Sequence, residues 1–415
     1  MDFELGHISP AGMQFTELAD KHSAEFATTA DRHDRENIFP MQNWESMRRS
    51  GFLSATVPEE LGGMGVRAIH DLVVAINRLA RGDGSTAIGA AMHTTAFWYL
   101  AKLLRRPPAA LGDQRFIVGL RLILRRCARG RVVACVAISE QGTSLGEPRA
   151  LAAPERDGYR ITGRKYFCTN SPAATVFLSS VRIPAGGERD TLGFALIPRE
   201  TPGVTVVADW DALGMRASGS GAVVFDSCHV PEGLVMPGGP VGALSAEILP
   251  LTMTGALVLA GAFLGIAERA QGLVVDALSR RHAASAGPPY ARPGVTEIIG
   301  ENEADLAASR AVISRTAVLL DEHLDPAGEP AVPLAELHEL MKEVQSANMV
   351  AKHSAIAVVD RALTASGGSG YLTSNPLSRL YRDVRAGLFM QPFSALDAFQ
   401  YIGRVRLGAD LGPDL

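Results

Sequence analysis

The chain has 415 residues, of which 47% are hydrophobic and 20% are charged, so global disorder is excluded and a large buried core is expected. Its formal net charge of −4 provides no broad positive field, so we expect no nucleic-acid partner. The four cysteines (Cys127, Cys135, Cys168 and Cys228) lie far apart, without a CxxC spacing or a histidine cluster. This argues against a disulfide framework or a metal site and fits a reducing, cytoplasmic compartment.

The first 131 residues are predicted to form an all-helical domain. Amphipathic segments at 44–50 and 70–79 place apolar side chains at three- and four-residue spacing. Pro58 and the glycines at 62, 63 and 65 interrupt this pattern, as expected of a loop between helices. The first ten residues have neither a basic start nor an apolar core, so we predict no secretory signal there.

Residues 132–237 are predicted to form a β-barrel. Short runs rich in β-branched and aromatic residues alternate with turn residues in this part of the chain. The predicted strands are 132–138, 159–167, 176–183, 192–198, 204–207 and 223–230. Strands this short and this closely spaced favour a barrel or a sandwich over alternating strands and helices.

Residues 238–415 are predicted to form a four-helix bundle. Apolar side chains recur at helical spacing between 306 and 324, and again between 337 and 362. The stretch 248–267 has twenty residues without a charge, which is long enough to cross a bilayer. Because it contains Pro250 and three glycines and stands alone, we predict that it is a buried helix of the bundle and that the protein has no membrane partner.

Loop motifs at the edges of these three parts identify a family. No dinucleotide fingerprint, phosphate-binding loop, HExxH or GxSxG motif is found. The motifs present are VPEELGGMG at 57–65, ISE at 138–140, GRKYFCTN at 163–170, LGMRASGS at 213–220, GGSGY at 367–371 and LYRD at 380–383. In this order, over nearly the whole chain, they resemble the acyl-CoA dehydrogenase superfamily. The resemblance implies an α+β fold with an N-terminal all-α domain, a middle β-barrel and a C-terminal four-helix bundle.

The resemblance also implies a flavin, FAD rather than FMN, held between the barrel and the bundle. Thr169 matches the residue that donates a hydrogen bond beside the reactive flavin nitrogen, and Phe167 matches the aromatic side chain that covers one flavin face. Arg280 matches an arginine that reaches the FAD pyrophosphate of a neighbouring subunit. The complete set of cofactor-binding residues implied in this way is Val136, Ile138, Ser139, Ser144, Phe167, Cys168, Thr169, Arg280, Thr364, Gly367 and Gly368.

The chain departs from the family at the catalytic base. Dehydrogenation of an acyl thioester requires a base that removes the α-proton. The family's glutamate position falls on Gln391, whose carboxamide is not a base near neutral pH, and a second family position for this glutamate falls on Gly255. Gln391 and Thr169 are therefore the predicted catalytic positions. The substrate-contacting residues implied by the resemblance are Gly255, Met390, Gln391 and Phe393.

Further departures affect positions that bind CoA and the ADP half of FAD. Residues 144–146 read Ser-Leu-Gly where the family has Gly-Ser-Asp, and Thr364 stands where a glutamine usually contacts FAD across the subunit interface. The residues implied to contact the flavin ring remain. Family members that use reduced flavin and O₂ as oxygenases lack the glutamate and need a dry pocket, which the replacement of polar groups by Leu145, Pro392 and Phe393 would suit.

We therefore favour a non-standard flavin oxidase or monooxygenase of specialised metabolism, acting on a thioester or another carbonyl-containing small molecule. Two alternatives stay open: an acyl-CoA dehydrogenase whose base is relocated, for instance to Glu247 or Asp397, and an inactive flavin-binding partner subunit. The substrate is expected on CoA, on a carrier protein or free, and the redox partner is an electron-transfer flavoprotein, O₂ or a flavin reductase. The apolar helix and the role implied for Arg280 predict a homo-oligomer, a tetramer or a dimer.

Overall fold

A computed structural model describes residues 4–105, 114–144, 146–187, 189–283, 294–324, 332–390, 393–409 and 411, except for the side chains of residues 237 and 281–283. Helices occupy the first and last parts of the chain, and strands occupy the middle. This order is the mixed α+β architecture predicted from the sequence, which is thereby confirmed.

The N-terminal part consists of helices that pack around α4 and α5. The helices are α1 (Pro10–Ala27), α2 (Ala30–Glu36), α3 (Met41–Ser50), α4 (Ile69–Gly82), α5 (Gly84–Leu104) and α6 (Gln114–Ala128). Asp83 begins α5 because its Oδ1 accepts the backbone N–H groups of Ser85 and Thr86, which have no partner inside the helix. Ile88 and Met92 lie one turn apart on α5 and therefore face the same neighbour.

The middle part is one curled sheet of eight strands. The strands are β1 (Ala134–Ala137), β2 (Leu151–Glu155), β3 (Gly158–Lys165), β4 (Val176–Ile183), β5 (Thr191–Pro198), β6 (Val204–Val206), β7 (Val223–Pro231) and β8 (Val235–Pro240). Their order is β6-β7-β3-β2-β4-β5-β8, and β1 pairs in parallel with β4. The inner face of the sheet holds a separate apolar core that includes Phe177, Ile161 and Phe225.

Two of these strands were missed by the sequence analysis. β2 contains two alanines and Pro154, and β8 is rich in proline and glycine, so neither has the composition of a strand. Hydrogen bonds to a neighbouring strand, rather than composition, give both segments their extended conformation. β2 forms a tight hairpin with β3, with Glu155 opposite Gly158, and β8 pairs with β5 at the end of the sheet.

The C-terminal part is a helix bundle. It contains α7 (Leu249–Ala283), α8 (Val295–Leu324), α9 (Leu334–Ser366), α10 (Pro376–Val384) and α11 (Ala395–Arg406). The three long helices α7, α8 and α9 pack on one another, and α10 and α11 pack against α9. The hydroxyl of Tyr401 on α11 lies 2.7 Å from His338 Nδ1 on α9.

Helix α7 contains the uncharged stretch at 248–267 and also packs on α4, so it joins the two helical parts. Within the described ranges it is the one helix long and apolar enough to cross a membrane, and 89% of its most apolar window is buried inside the protein. The burial is that of a core helix, as the sequence predicted.

Candidate active site

A cavity of about 480 Å³ lies where the three parts of the chain meet, a size typical of small-molecule sites. One wall comes from the sheet and its following loops, a second from α5, and a third from α7, α10 and the turn after α10. The residues that line it are Ile88, Met92, Val136, Ile138, Ser139, Glu140, Gln141, Tyr166, Phe167, Thr169, Trp210, Ala212, Leu213, Gly214, Met215, Ser220, Leu259, Arg382, Arg385, Ala386, Phe389 and Met390.

A chain of buried hydroxyl groups ends at the cavity. Ser218 Oγ and Ser220 Oγ lie 2.7 Å apart, and Ser220 Oγ donates to Thr169 Oγ1 over 3.0 Å. Because the Thr169 oxygen accepts this bond, its own proton is free to be donated into the cavity. Thr169 therefore has the arrangement required of a residue that donates a hydrogen bond to a flavin ring atom.

The cavity wall contains backbone conformations that ordinary side chains avoid. Phe167 and Met215 have φ values of 53°, and the neighbouring Asn170 has a φ of 60°. Such residues cost about 1–3 kcal/mol each and collect at functional sites. The Asn170 amide donates to the Ala134 carbonyl over 3.1 Å, which fixes this strained segment against β1.

Aromatic and apolar side chains at the cavity mouth are exposed. Phe167, Leu213 and Phe389 are 67–74% exposed, and the Phe167 ring lies edge-on to Trp210 with ring centroids 6.1 Å apart. Apolar groups that face solvent beside a cavity are typical of a binding site. A planar, partly apolar ring such as a flavin fits these residues, since it would cover Phe167 while Thr169 bonds its edge.

The loop at 210–215, which forms part of the wall, is held by the bundle. Asp383 accepts the Met215 backbone N–H over 2.6 Å, and Trp210 Nε1 donates to the Met215 carbonyl. A Cβ at Gly214 would lie 2.2 Å from the Arg382 carbonyl, so only glycine allows this close approach. Burial raises the pKa of Asp383 to about 6, although Arg379 and the Met215 N–H oppose this shift.

Glu140 is the only carboxylate among the described residues that line the cavity, and both of its oxygens already accept hydrogen bonds from the protein. It accepts the Lys165 ammonium over 2.5 Å and the backbone N–H groups of Arg149 and Ala150 over 2.7 and 3.1 Å. Lys165 is fully buried and also donates to Ser180. A carboxylate held in this way positions the strand end at Ser139 and is not free to act as a base.

Two other carboxylates were considered as relocated bases, and neither lines the cavity. Asp397 is exposed and accepts the Ser394 hydroxyl at the start of α11. Glu247 lies beside Gly239, near the end of β8. The described part of the cavity thus offers no free carboxylate for proton abstraction.

The structure brings together six of the residues assigned to the site from sequence. Those that line the cavity are Val136, Ile138, Ser139, Phe167, Thr169 and Met390. The side chain of Cys168 is buried inside the curled sheet, and Ser144 and Gly255 do not line the cavity. Phe393 packs in the bundle with its ring stacked on Tyr401, at a centroid distance of 5.1 Å. Gln391, Leu145 and Pro392 lie outside the described residues.

Four further predicted cofactor residues are exposed and lie away from the cavity of their own chain. These are Arg280 near the end of α7, Thr364 in the last turn of α9, and Gly367 and Gly368 directly after α9. The resemblance assigned Arg280 and Thr364 to contacts across a subunit interface, and exposure on a single chain is compatible with that assignment.

Other cavity residues were missed by the sequence analysis, although several lie within quoted motifs. Ser220, Leu213 and Met215 belong to LGMRASGS, and Tyr166 belongs to GRKYFCTN. Arg385, Ala386 and Phe389 follow the LYRD motif and carried no signal of their own. Their roles depend on how the sheet and the bundle face each other, which local sequence does not contain.

Comparison with protein families gives three matches in chain order. The models described as acyl-CoA dehydrogenase N-terminal domain, middle domain and C-terminal domain match residues 13–103, 135–228 and 257–391, respectively. Together they cover most of the chain and include the strand ends, the loop at 210–215 and the turn after α10 that form the cavity.

Individual relatives are similar over almost their whole length. Amino sugar nitrososynthase RubN8 of Streptomyces rubradiris is 36% identical over 97% of this chain and 92% of its own. The structure of KijD3 in complex with FMN and dTDP-3-amino-2,3,6-trideoxy-4-keto-3-methyl-D-glucose has a TM-score of 0.89 and 30% identity, covering 98% of this chain and 96% of the other. FMN-bound TdsC from Paenibacillus sp. A11-2 has a TM-score of 0.82 and 26% identity, covering 95% and 97%.

Proposed function

This chain belongs to the acyl-CoA dehydrogenase family and is a flavin-dependent oxidoreductase of the monooxygenase type, and we propose that it oxidises the amino group of a nucleoside-diphosphate-linked amino sugar to a nitroso group. The observation that carries the proposal is the cavity. The Thr169 hydroxyl lines it and would donate to a flavin ring, while its one described carboxylate, Glu140, is paired with Lys165. The site therefore suits oxygen transfer better than α-proton abstraction.

A reduced flavin, when bound, would supply the two electrons that each round requires, and O₂ would be the source of the transferred oxygen atom. In a first round the amine, O₂ and reduced flavin give the hydroxylamine, one water and oxidised flavin; an N–O bond forms and the O–O bond breaks. In a second round the hydroxylamine, O₂ and reduced flavin give the nitroso sugar, two waters and oxidised flavin. No carbon-bound proton needs to be removed by the protein in either round.

The residues of this chain exclude water and orient the reactants. Ile88 and Leu259 are almost fully buried and, with Met92, make one side of the cavity apolar, which limits side reactions with water. Thr169 would donate a hydrogen bond to the ring edge of the flavin, and Ser139, which lies at the adjacent strand end, also lines the cavity. Phe167, at the mouth, is placed to cover one face of the ring.

FMN is the form of flavin proposed here, in place of the FAD expected from the sequence. KijD3 and TdsC have been solved with FMN. The chain also departs from the family at Thr364 and at residues 144–146, which the resemblance connects with the ADP half of FAD and with CoA. Without contacts to the ADP half, the affinity for the flavin comes from contacts to the ring and to the phosphate nearest it, which FMN and FAD share. FMN should therefore bind at least as tightly as FAD.

The remaining assignments follow from this chemistry. Reduced flavin is consumed in each round and must be resupplied, so a separate flavin reductase is the proposed redox partner rather than an electron-transfer flavoprotein. A homo-oligomer in the cytoplasm remains our proposal for assembly and location.

The test is a reconstituted reaction. Purified protein, FMN, a flavin reductase, NADH and air are incubated with a dTDP-linked amino sugar, and the product is analysed by mass spectrometry. We expect a gain of one oxygen for the hydroxylamine and then the loss of two hydrogens for the nitroso sugar, and the single added oxygen of each product should carry the label when the reaction is run under ¹⁸O₂. Thr169→Val should lower the rate about 10-fold, whereas Thr169→Ser should retain most of it.

An anaerobic titration with acyl-CoAs of several chain lengths provides the counter-test. Bleaching of the flavin absorbance by any thioester would show that dehydrogenation persists and would contradict the proposal. An oxidised spectrum with every thioester, together with no product from amino sugars, would contradict it as well and would favour the inactive partner subunit.

A further inference from the structure

One charged side chain in the cavity wall has no counter-charge among the residues that the structure describes. Arg385 lines the cavity in the turn after α10 and is half-buried. Its guanidinium makes no hydrogen bond or ion pair with any residue that the structure describes. A guanidinium has five donors and always carries its charge, so one left without an anion beside a cavity is available for a ligand.

The neighbouring arginines differ from Arg385 in this respect. Arg382 also lines the cavity, but it is paired with Asp34 and donates to the Leu213 carbonyl over 3.1 Å. Arg379 is paired with Asp31 over 2.7 Å and with Asp383 over 3.4 Å. These two arginines fasten the bundle to the N-terminal helices, whereas nothing described gives Arg385 such a structural role.

The other charges around the cavity are also compensated. Glu140 is neutralised by Lys165, and Asp383 is directed toward the Met215 N–H and Arg379. Among the described residues of the cavity wall, Arg385 is therefore the one positive charge without a described counter-charge, and it is set among apolar groups such as Ala386 and Met390. In such surroundings an arginine attracts an anion more strongly than it does in water.

Arg385 comes from a different wall of the cavity than the residues proposed to bind the flavin ring. Thr169 and Ser139 come from the sheet side of the cavity, and Arg385 comes from the bundle side together with Leu259 and Ala386. A substrate lying between the ring and the bundle would place its reacting group toward Thr169 and the rest of the molecule along the bundle wall.

We infer that Arg385 binds the diphosphate of the nucleotide carrier and thereby selects nucleotide-linked substrates over free amines. Guanidinium and phosphate carry opposite charges, and the planar guanidinium can donate two parallel hydrogen bonds to two phosphate oxygens. The inference rests on the proposed function, because that proposal supplies a substrate with a diphosphate. It adds which residue holds that group and predicts that an unlinked sugar is a poor substrate.

The test measures binding of dTDP and of thymidine to the FMN-loaded full-length protein by calorimetry. Arg385→Met nearly keeps the length of the side chain but removes its charge, whereas Arg385→Lys keeps the charge without the planar guanidinium. Arg49→Met, which removes an exposed arginine of α3, is the control. For Arg385→Met we expect dTDP to bind about 10- to 100-fold more weakly and thymidine to bind within about twofold of wild type. Arg385→Lys should recover part of the loss.

Kinetics provide a second test, because a purely structural role of Arg385 would not give the expected pattern of KM and kcat. Since the diphosphate is remote from the reacting amine, Arg385→Met should raise KM for the dTDP-linked substrate and leave kcat within a few-fold of wild type. The preference for the linked over the unlinked sugar should fall by the same factor as the dTDP affinity.

Four outcomes would overturn the inference. FMN affinity that falls while dTDP affinity is unchanged would assign Arg385 to the flavin phosphate. Unchanged binding of both would leave it without a ligand role. Wild-type protein that oxidises amino sugars but binds dTDP no better than thymidine would refute the inference and leave the proposed function intact, whereas a wild type that neither binds dTDP nor oxidises any amine would refute both.

Discussion

Lys352, in the middle of α9, is a buried amine with no counter-charge among the described residues. It is 1% exposed, and its Nζ has no hydrogen-bond partner among the residues that the structure describes. The nearest feature is the Phe263 ring on α7, whose centroid lies 5.7 Å from Nζ. Burial lowers the pKa of Lys352 to about 7, because the interior disfavours the charged ammonium. A proton on this side chain therefore opposes folding.

The sign of the resulting pH dependence follows from proton linkage. The folded-state pKa of Lys352 is about 7 and that of the unfolded chain is near the ordinary value of 10.5, so the unfolded state binds more protons between these limits. The contribution of Lys352 to the free energy of unfolding is then greatest above pH 10.5 and is lost as the pH falls toward 7.

We predict that Lys352→Met stabilises the protein near pH 7 by about 1–3 kcal/mol and flattens the rise in stability with pH above 7. Methionine fills a similar volume and removes the amine that has no partner. Urea denaturation between pH 6.5 and 9.5 measures the effect, with Lys342→Met, which alters a lysine paired with Glu339 on the same helix, as the control. Identical pH slopes for wild type and Lys352→Met would contradict the assignment.

At the scale of elements, the site depends on a contact between the loop at 210–215 and α10. Asp383 on α10 accepts the Met215 N–H, and Gly214 packs against the Arg382 carbonyl. Met215 and Leu213 in turn line the cavity. The bundle therefore sets the shape of a wall that the sheet loops present to the flavin.

We predict that Asp383→Leu weakens FMN binding about 10-fold and lowers the free energy of unfolding by about 2–3 kcal/mol, since it leaves the Met215 N–H and part of Arg379 without a partner. Asp383→Asn retains an oxygen that can accept from Met215 and should cost about 1 kcal/mol. Flavin fluorescence titration and urea denaturation report the two quantities. Asp211→Asn, which removes an exposed ion pair with Arg216, is the matched control and should change neither. Equal effects of the Leu and Asn variants would show that the accepted hydrogen bond is not what holds the loop.

The element scale also explains how far the sequence could predict the fold and the site. Helical periodicity predicted α8 and α9, the uncharged stretch predicted α7, and β-branched runs predicted β4 and β7, because these signals are local. β2 and β8 owe their conformation to partner strands and have no such signal. Motif order predicted that Thr169 and Phe167 lie at the site, and the structure places both in the cavity wall.

The roles of residues that act through contacts with distant parts of the chain could not be predicted from local sequence. Arg385 is distinguished from Arg382 only by the absence of a described partner, and Asp34, which pairs with Arg382, lies 348 positions away in sequence. The side chain of Cys168 faces the sheet interior because it lies between Phe167 and Thr169 at a strand end, where neighbouring side chains point in different directions. A motif thus identifies a segment more securely than it identifies each residue within it.

At the scale of the whole molecule, the C-terminal helix presents apolar side chains that are largely exposed, although the Phe399 ring lies 6.0 Å from the ring of His353. Leu396 and Phe399 on α11 are 83% and 54% exposed, and Leu407, directly after the helix, is 84% exposed. Positions 396 and 399 lie about one turn apart on the same side of the helix, and Leu407 follows the last residue of the helix. Isolated exposed apolar residues are common, but a stripe of them is typical of an interface between subunits.

We predict that this stripe joins copies of the chain, so that the double variant Leu396→Lys/Phe399→Lys has a smaller molecular mass in solution than wild type while keeping its helical content. Light scattering after size exclusion measures the mass, and Met13→Lys, at an exposed apolar position on α1, is the control. If Arg280 and Thr364 act on the flavin of a neighbouring subunit, flavin affinity should fall together with the mass, because both side chains are exposed and lie away from the cavity of their own chain. A variant that keeps the wild-type mass would assign the stripe another role, and one that dissociates with unchanged flavin affinity would show that each cavity binds its flavin with residues of a single chain.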